Sequence, residues 1–491
     1  MNQALDVVVW LTDLFVLIAG LTVIGVLCIY VIDRFQTTHS LRRNFPVLAR
    51  FRYLFEDLGE FFRQYFFAMD REELPFNRAE RSWVYRAAKG VDTTVAFGST
   101  RDLRPTGSVL FVNCAYPTLE EDAAPPKTLV FAPDAKHPYE TSAFFNVSGM
   151  SYGAISRPAI TALSTGAAKA GIWMNTGEGG LSPAHIAGGA DIVFQIGTAN
   201  YGVRDSNGQL DEAKLAEIAA HEQVRMFEIK LSQGAKPGKG GILPGAKVTA
   251  EIARIRSIPE GEDSISPNRN PAINNAEDLL AAIDRVRRVT GKPVGFKSVI
   301  GAYGWFDELC ALIAHKGHEY APDFITIDSA DGGTGAAPAS LIDYMGLPLK
   351  ESLPLVVDIL TRHGLRQRIR VIASGKLTSP GQVAWAMCAG ADVAVSARGF
   401  MFSLGCIQAL QCNKNTCPTG ITTHNPKLQR GLVVEDKAER VANYATTLMH
   451  EVEVTAHSCG VTEPRALDRV HCRRVMEDGT SVSLEDLYGK G

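Results

Sequence analysis

From residue 140 onward the chain alternates two hydrophobic patterns. Short runs of consecutive apolar, often β-branched residues occur at "FFNV" (144–147), "IWMN" (172–175), "IVFQI" (192–196), "MFEIKL" (226–231), "VGFKSV" (294–299), "FITID" (324–328), "IRVIAS" (369–374) and "VAVSA" (393–397). Between them, apolar positions recur with a helical period over 157–170, 211–223, 276–290, 305–316, 353–363 and 380–389. Strands that are apolar on both faces are parallel strands covered by helices, in a doubly wound sheet or a closed barrel. Eight such strands are the number that closes a barrel. A doubly wound dinucleotide fold would carry G-x-G-x-x-G, and the nearest match, "GTGAAP" (333–338), has Pro338 in place of the last glycine. "IASGKL" shares only its GK pair with a P-loop, because Arg370 stands where the first glycine belongs. The fold class expected is therefore α/β, a (β/α)8 TIM barrel over 140–425.

The first 33 residues follow a different rule. Residues 14–32 are nineteen in succession without a charge, and at ~1.5 Å per residue they match the ~30 Å hydrocarbon thickness of a bilayer. A transmembrane helix is expected over 1–33 rather than a signal peptide, since Asp6 and Asp13 stand where a positive n-region belongs. Arg34, Arg42, Arg43, Arg50 and Arg52 follow it, so the positive-inside rule puts the catalytic domain in the cytoplasm on a single-pass anchor. The segment 34–139 leads into the barrel. Its aromatic and arginine-rich part, 45–70, reads either as an amphipathic helix on the membrane surface or as a helix packed on the catalytic domain. Residues 75–140 are Pro-rich and irregular, and 426–491 read as a short helical C-terminal extension.

Composition narrows the function. With 46% hydrophobic and 21% charged residues and a net charge of -3, the chain has no basic stripe for nucleic acid. Cys28 lies in the anchor, and Cys310 and Cys388 sit in apolar helical patterns as core residues. Cys406, Cys412 and Cys417, spaced C-x5-C-x4-C, are a candidate metal set. Zinc would use a fourth ligand, for which His424 is near in sequence, and usually shows paired C-x2-C units. Three thiolates suit a [3Fe-4S] cluster, and Pro418 bends the chain beside the last of them. On spacing alone iron-sulfur, zinc and unliganded cysteines all remain open.

In a barrel the chemistry sits at the C-terminal strand ends, which here are polar: Asn175, Gln195, Lys230, Lys297, Asp328, Ser374 and Ser396. After the seventh and eighth strands come Ser374, Gly375, Lys376 and then Arg398, Gly399. Glycine amides with a cation at these two loops are the recurring barrel phosphate site.

The stretches "GMSYGAIS" (149–156), "NTGEGG" (175–180), "EIKLSQGAKPGKGG" (228–241), "DSADGGTGAAP" (328–338), "ASGKL" (373–377) and "GCIQALQCNKNTCPTG" (405–420) together resemble the FMN-binding synthase domain of the glutamate synthase family. The resemblance implies FMN bound by Met150, Ser151, Gln195 and Lys297, with Asp331, Gly332, Gly333, Thr334 and Gly335 lining it. Ser374, Gly375, Lys376, Arg398 and Gly399 would hold its phosphate. It implies a [3Fe-4S] cluster on Cys406, Cys412 and Cys417, and a substrate site for 2-oxoglutarate or a related oxo or imino acid at Glu178, Lys230, Gln233, Lys236 and Arg256. The implied reaction reduces 2-iminoglutarate to L-glutamate. The chain departs from the full synthase in starting with Met1, Asn2 and the apolar helix instead of a glutaminase domain, in Ile242, and in "SPNRNPAINNAEDL" (266–279). Ammonia is then expected free or from a separate glutaminase, and electrons from a separate donor protein. An amine dehydrogenase, an N-substituted amino acid synthase and a membrane electron-transfer subunit are the alternatives.

Overall fold

The computed structural model describes residues 2–489 except 233 and 235. It divides into two compact units, residues 1–79 and 80–491.

In the first unit one helix runs over Asn2–Phe35, and its stretch Leu5–Phe35 is long and apolar enough to cross a membrane, almost all its apolar side chains exposed and only Asp33 near its end buried. Asp33 ends this stretch on an elbow. Its carboxylate accepts from Arg50 Nη2 at 2.7 Å and Nε at 2.9 Å, and from the Val47 N–H at 3.0 Å. Beyond the elbow the helix Leu48–Phe62 exposes Leu48, Phe51, Phe55, Phe61 and Phe62.

The second unit holds the barrel. All eight apolar runs form strands: β1 (Phe145–Val147), β2 (Met174–Asn175), β3 (Ile192–Ile196), β4 (Val224–Lys230), β5 (Val294–Val299), β6 (Phe324–Asp328), β7 (Arg370–Ser374) and β8 (Val393–Ser396). They close in sequence order, β8 pairing with β1, and every pair is parallel. The intervening helices start and stop where local chemistry dictates. Ser156 Oγ caps Arg157–Ala170, which ends on Gly171 at φ 65°, and Asn275 caps Ala276–Thr290.

Residues 75–140, expected to be irregular, contain an antiparallel pair, Leu129–Phe131 with Tyr139–Thr141, that plugs the N-terminal end of the barrel. Phe131 is fully buried, its ring 5.9 Å from both Trp173 and Phe324 in edge-on contacts. Aromatic rings stop this mouth, which leaves the C-terminal mouth as the open one. The C-terminal extension also exceeds its helical expectation. Its long helix Val434–Ser458 lies on Arg157–Ala170, and the strands Cys472–Val475 and Ser481–Ser483 then form a sheet with Val109–Phe111.

Candidate functional site

The open mouth forms one cleft of about 1200 Å³, counting its solvent-facing part. Its lining comes from several strand ends at once. The loop after β1 contributes Gly149, Met150 and Ser151, the loop after β2 Glu178, β3 Gln195, β4 Lys230, and β5 and β6 Lys297 and Asp328. A long excursion between β4 and β5, built on the pair Ile242–Leu243 with Ser264–Ile265 and the helix Ala250–Arg256, adds Lys236, Lys247 and Arg256. Gly177, at φ 61°, lets the loop after β2 press against the loop after β1: a Cβ there would lie 2.5 Å from the Ser151 nitrogen.

The charges are paired and buried. Lys297 Nζ sits 3.1 Å from Asp328 Oδ2, and Lys230 Nζ 3.5 Å from Glu178 Oε2. Burial works to discharge Lys297, but Asp328, Glu228 and Glu178 outweigh it and hold the ammonium above its ordinary pKa. Lys236 goes the other way, lowered by burial, and donates to the Ala336 carbonyl at 2.7 Å. Arg256 is 4% exposed. It lies 5.0 Å from the Tyr201 ring and donates to Ser264 Oγ at 3.1 Å and the Tyr152 carbonyl at 2.9 Å. Its buried Nε–H has no partner among the described residues.

The family model described as "Conserved region in glutamate synthase" matches residues 116–462. A glutamate synthase large subunit-like protein of Bacillus subtilis (strain 168) is 39% identical over 94% of this chain and 94% of its own length. The chain belongs to the glutamate synthase family. The archaeal glutamate synthase [NADPH] of Methanocaldococcus jannaschii is 36% identical over 65% of this chain, which spans 60% of that protein. Among solved structures, mandelate oxidase with (S)-4-hydroxymandelic acid aligns at TM-score 0.47 and 15% identity over 87% of this chain and 98% of that one.

In this glutamate synthase family member the cleft brings together Met150, Ser151, Glu178, Gln195, Lys230, Lys236, Arg256, Lys297, Gly333, Thr334, Gly335, Arg398 and Cys412 of the residues singled out from the sequence. Gln233 lies outside the described residues. Asp331, Gly332, Ser374, Gly375, Lys376 and Gly399 do not line the cleft itself. Asp331 Oδ2 instead accepts the Leu349 N–H at 3.0 Å, at the start of the helix Leu349–Arg362. The Gly399 N–H donates to Ser396 Oγ, and Arg398 Nη2 to the Thr334 carbonyl at 2.5 Å. Gly375 forms a tight cradle: a Cβ there would lie 2.2 Å from Ser329 Oγ, a buried hydroxyl without a partner among the described residues.

Cys406, Cys412 and Cys417 follow β8 on a loop without regular structure, in which Gln408, Leu410 and Asn415 adopt positive φ. Tyr85 Oη donates to the Cys406 carbonyl at 2.5 Å, and the buried Lys247 Nζ to the Cys412 carbonyl at 2.6 Å. Burial raises the Cys417 thiol, but hydrogen bonds from Thr419 and Thr422 outweigh it and bring the thiol below its usual range. Cys406 is raised by burial, and the neighbouring Cys412 and Cys417 add to that. Among the described residues no three His, Cys, Asp or Glu side chains gather closely enough to hold one metal ion.

Two residues escaped the sequence reading. Lys247 has no local pattern to mark it, and Glu228 sits within the apolar run of β4. The signal for Glu228 is a carboxylate two positions before Lys230, on the same face of the strand and flanked by Phe227 and Ile229.

Proposed function

We propose that this protein is an FMN- and iron-sulfur-dependent oxidoreductase that reduces 2-iminoglutarate, formed from 2-oxoglutarate and ammonia, to L-glutamate. The observation that carries this reading is a single cleft lined at once by Gln195 and Lys297, by the cations Lys230, Lys236 and Arg256, and by Cys412. FMN bound there would supply hydride chemistry, and a [3Fe-4S] cluster on Cys406, Cys412 and Cys417 one-electron delivery.

The protein's own residues are suited to the rest. A dicarboxylate needs a charge-assisted partner at each end, and Lys230 and Arg256 are two such groups on one cleft. The unpartnered Nε–H of Arg256 is a buried donor that a carboxylate oxygen would satisfy. Lys297 keeps a buried positive charge on the cleft, which would offset the negative charge of a reduced flavin bound there. The orphaned Ser329 hydroxyl beside Gly375 suits a phosphate oxygen. Three cysteines on one loop, with Cys412 lining the cleft, match the three ligands of a [3Fe-4S] cluster rather than the four of a structural zinc.

The helix over Leu5–Phe35 supports a single membrane crossing, with the barrel on the cytoplasmic side marked by Arg42, Arg43 and Arg52. Helix Leu48–Phe62, with its phenylalanines exposed, then lies on the membrane surface. Electrons and ammonia would come from separate proteins or from solution.

The test is anaerobic purification, followed by flavin absorbance and low-temperature EPR of the oxidised protein. Expected are FMN and a three-iron signal that disappears in Cys412→Ser. Reduced protein should be reoxidised by 2-oxoglutarate with ammonium. Reoxidation only by another imine would transfer the reading to an amine dehydrogenase or N-substituted amino acid synthase, and no reoxidation by any imine to an electron-transfer subunit.

A further inference from the structure

We infer that Glu228 is a positioning residue that fixes which way the Gln195 amide faces, so that the cleft offers a carbonyl oxygen to a ring imide N–H. This rests on the flavin reading above and adds to it how the ring is recognised.

Glu228 lies inside the barrel on β4 and is 2% exposed. Its Oε1 accepts from Gln195 Nε2 at 2.6 Å and Asn175 Nδ2 at 2.9 Å, and its Oε2 from Thr326 Oγ1 at 2.5 Å. One carboxylate thus takes three hydrogen bonds from β2, β3 and β6. An ionised carboxylate only accepts, so both amides must turn their NH2 groups toward it. Each carbonyl oxygen then faces away. The Asn175 oxygen takes the Gly177 N–H at 2.9 Å. No described residue donates to the Gln195 oxygen, and Gln195 lines the cleft.

The cleft therefore presents an acceptor whose polarity cannot invert while Glu228 stays a carboxylate. Its complement is a planar ring carrying an N–H between two carbonyls, as at the pyrimidine-like end of a flavin. An inverted Gln195 would point its own NH2 at that N–H and bind the ring less well. Glu228→Gln keeps the shape but adds a donor, which permits the inversion.

The test uses the full-length protein in detergent, stripped of flavin. Dissociation constants are measured by flavin fluorescence for FMN and for 3-deaza-FMN, in which C–H replaces the ring N–H. Wild type should prefer FMN about tenfold, the equivalent of one hydrogen bond of ~1.4 kcal/mol. Glu228→Gln should reduce the preference to about twofold or less. Thr326→Val, which removes a contact to Glu228 without changing its polarity, should keep the preference even if both affinities fall. If Glu228→Gln does not fold, Gln195→Met should show the same loss of preference. A tenfold preference that survives in Glu228→Gln or Gln195→Met overturns the inference, as does wild type binding both flavins equally. A wild-type protein that binds neither flavin instead defeats the flavin reading itself.

Discussion

Lys297 and Asp328 meet diagonally across neighbouring strands, Nζ to Oδ2 3.1 Å apart, with Lys297 in register with Thr326 and Asp328 with Val299, and their side chains are 10% and 7% exposed. Removing one partner of a buried pair strands the other charge, at a cost of about 3–5 kcal/mol. Lys297→Met should lose stability on that scale in urea unfolding, and Lys297→Met with Asp328→Leu should recover a large part of it. Equal stability of single and double variants would show that the pair is not coupled.

His185 makes the fold acid-sensitive. Its Nδ1 accepts the Ser182 N–H at 3.0 Å, and burial pushes its pKa down to about 3. Unfolded, it would titrate near 6.5. The unfolded chain therefore binds the extra proton between those values. This contribution is complete above pH ~6.5 and declines as pH falls toward 3, by about 1.4 kcal/mol per unit. His185→Gln should start less stable at pH 7 and lose less on acidification. Parallel stability-pH curves for the two proteins would contradict this.

Gly166 sets the distance between Arg157–Ala170 and Val434–Ser458. A Cβ there would lie 2.5 Å from the Ala438 carbonyl oxygen and 2.5 Å from Val441 Cβ. Gly166→Val should cost about 1–3 kcal/mol through overpacking, seen as a lower Tm. An unchanged Tm would mean that the C-terminal helix does not dock this closely.

Arg256→Lys keeps the charge and removes the planar set of donors. Under the proposed function, the KM for 2-oxoglutarate should rise about tenfold, for a lost charge-assisted hydrogen bond of ~1.5 kcal/mol, with kcat much less affected. Steady-state kinetics decide it, and an equal fall in kcat at constant KM would place Arg256 elsewhere in the reaction.

The exposed phenylalanines of Leu48–Phe62 give the membrane reading its own check. In the full chain in vesicles, an apolar carbene reagent dissolved in the lipid should label the peptides holding Phe51, Phe55 and Phe62. Labelling confined to residues 5–35 would leave that helix off the bilayer.

The strands were legible because residues buried on both faces must be apolar, whatever their neighbours. "VGFKSV" and "FITID" announce β5 and β6 even though Lys297 and Asp328 interrupt them. The polar strand ends Asn175, Gln195, Lys230, Lys297 and Asp328 followed from the same logic, whereas Glu178, Lys236 and Arg256 came only from the family resemblance. The barrel plug was hidden because Leu129–Phe131 and Tyr139–Thr141 are three residues each, too short to show a period. The hydrogen bond from the Leu349 N–H to Asp331, across 18 positions, was hidden too, because no local pattern links a loop carboxylate to a later helix start.

The eight strands, the apolar N-terminal helix and the polar strand ends were readable along the chain, because each rests on the hydropathy of residues close together in it. Only the tertiary structure decided how those ends pair. Glu228 joins Asn175, Gln195 and Thr326, positions 33 to 98 residues away. No local pattern records such a network, since barrel closure brings its members together.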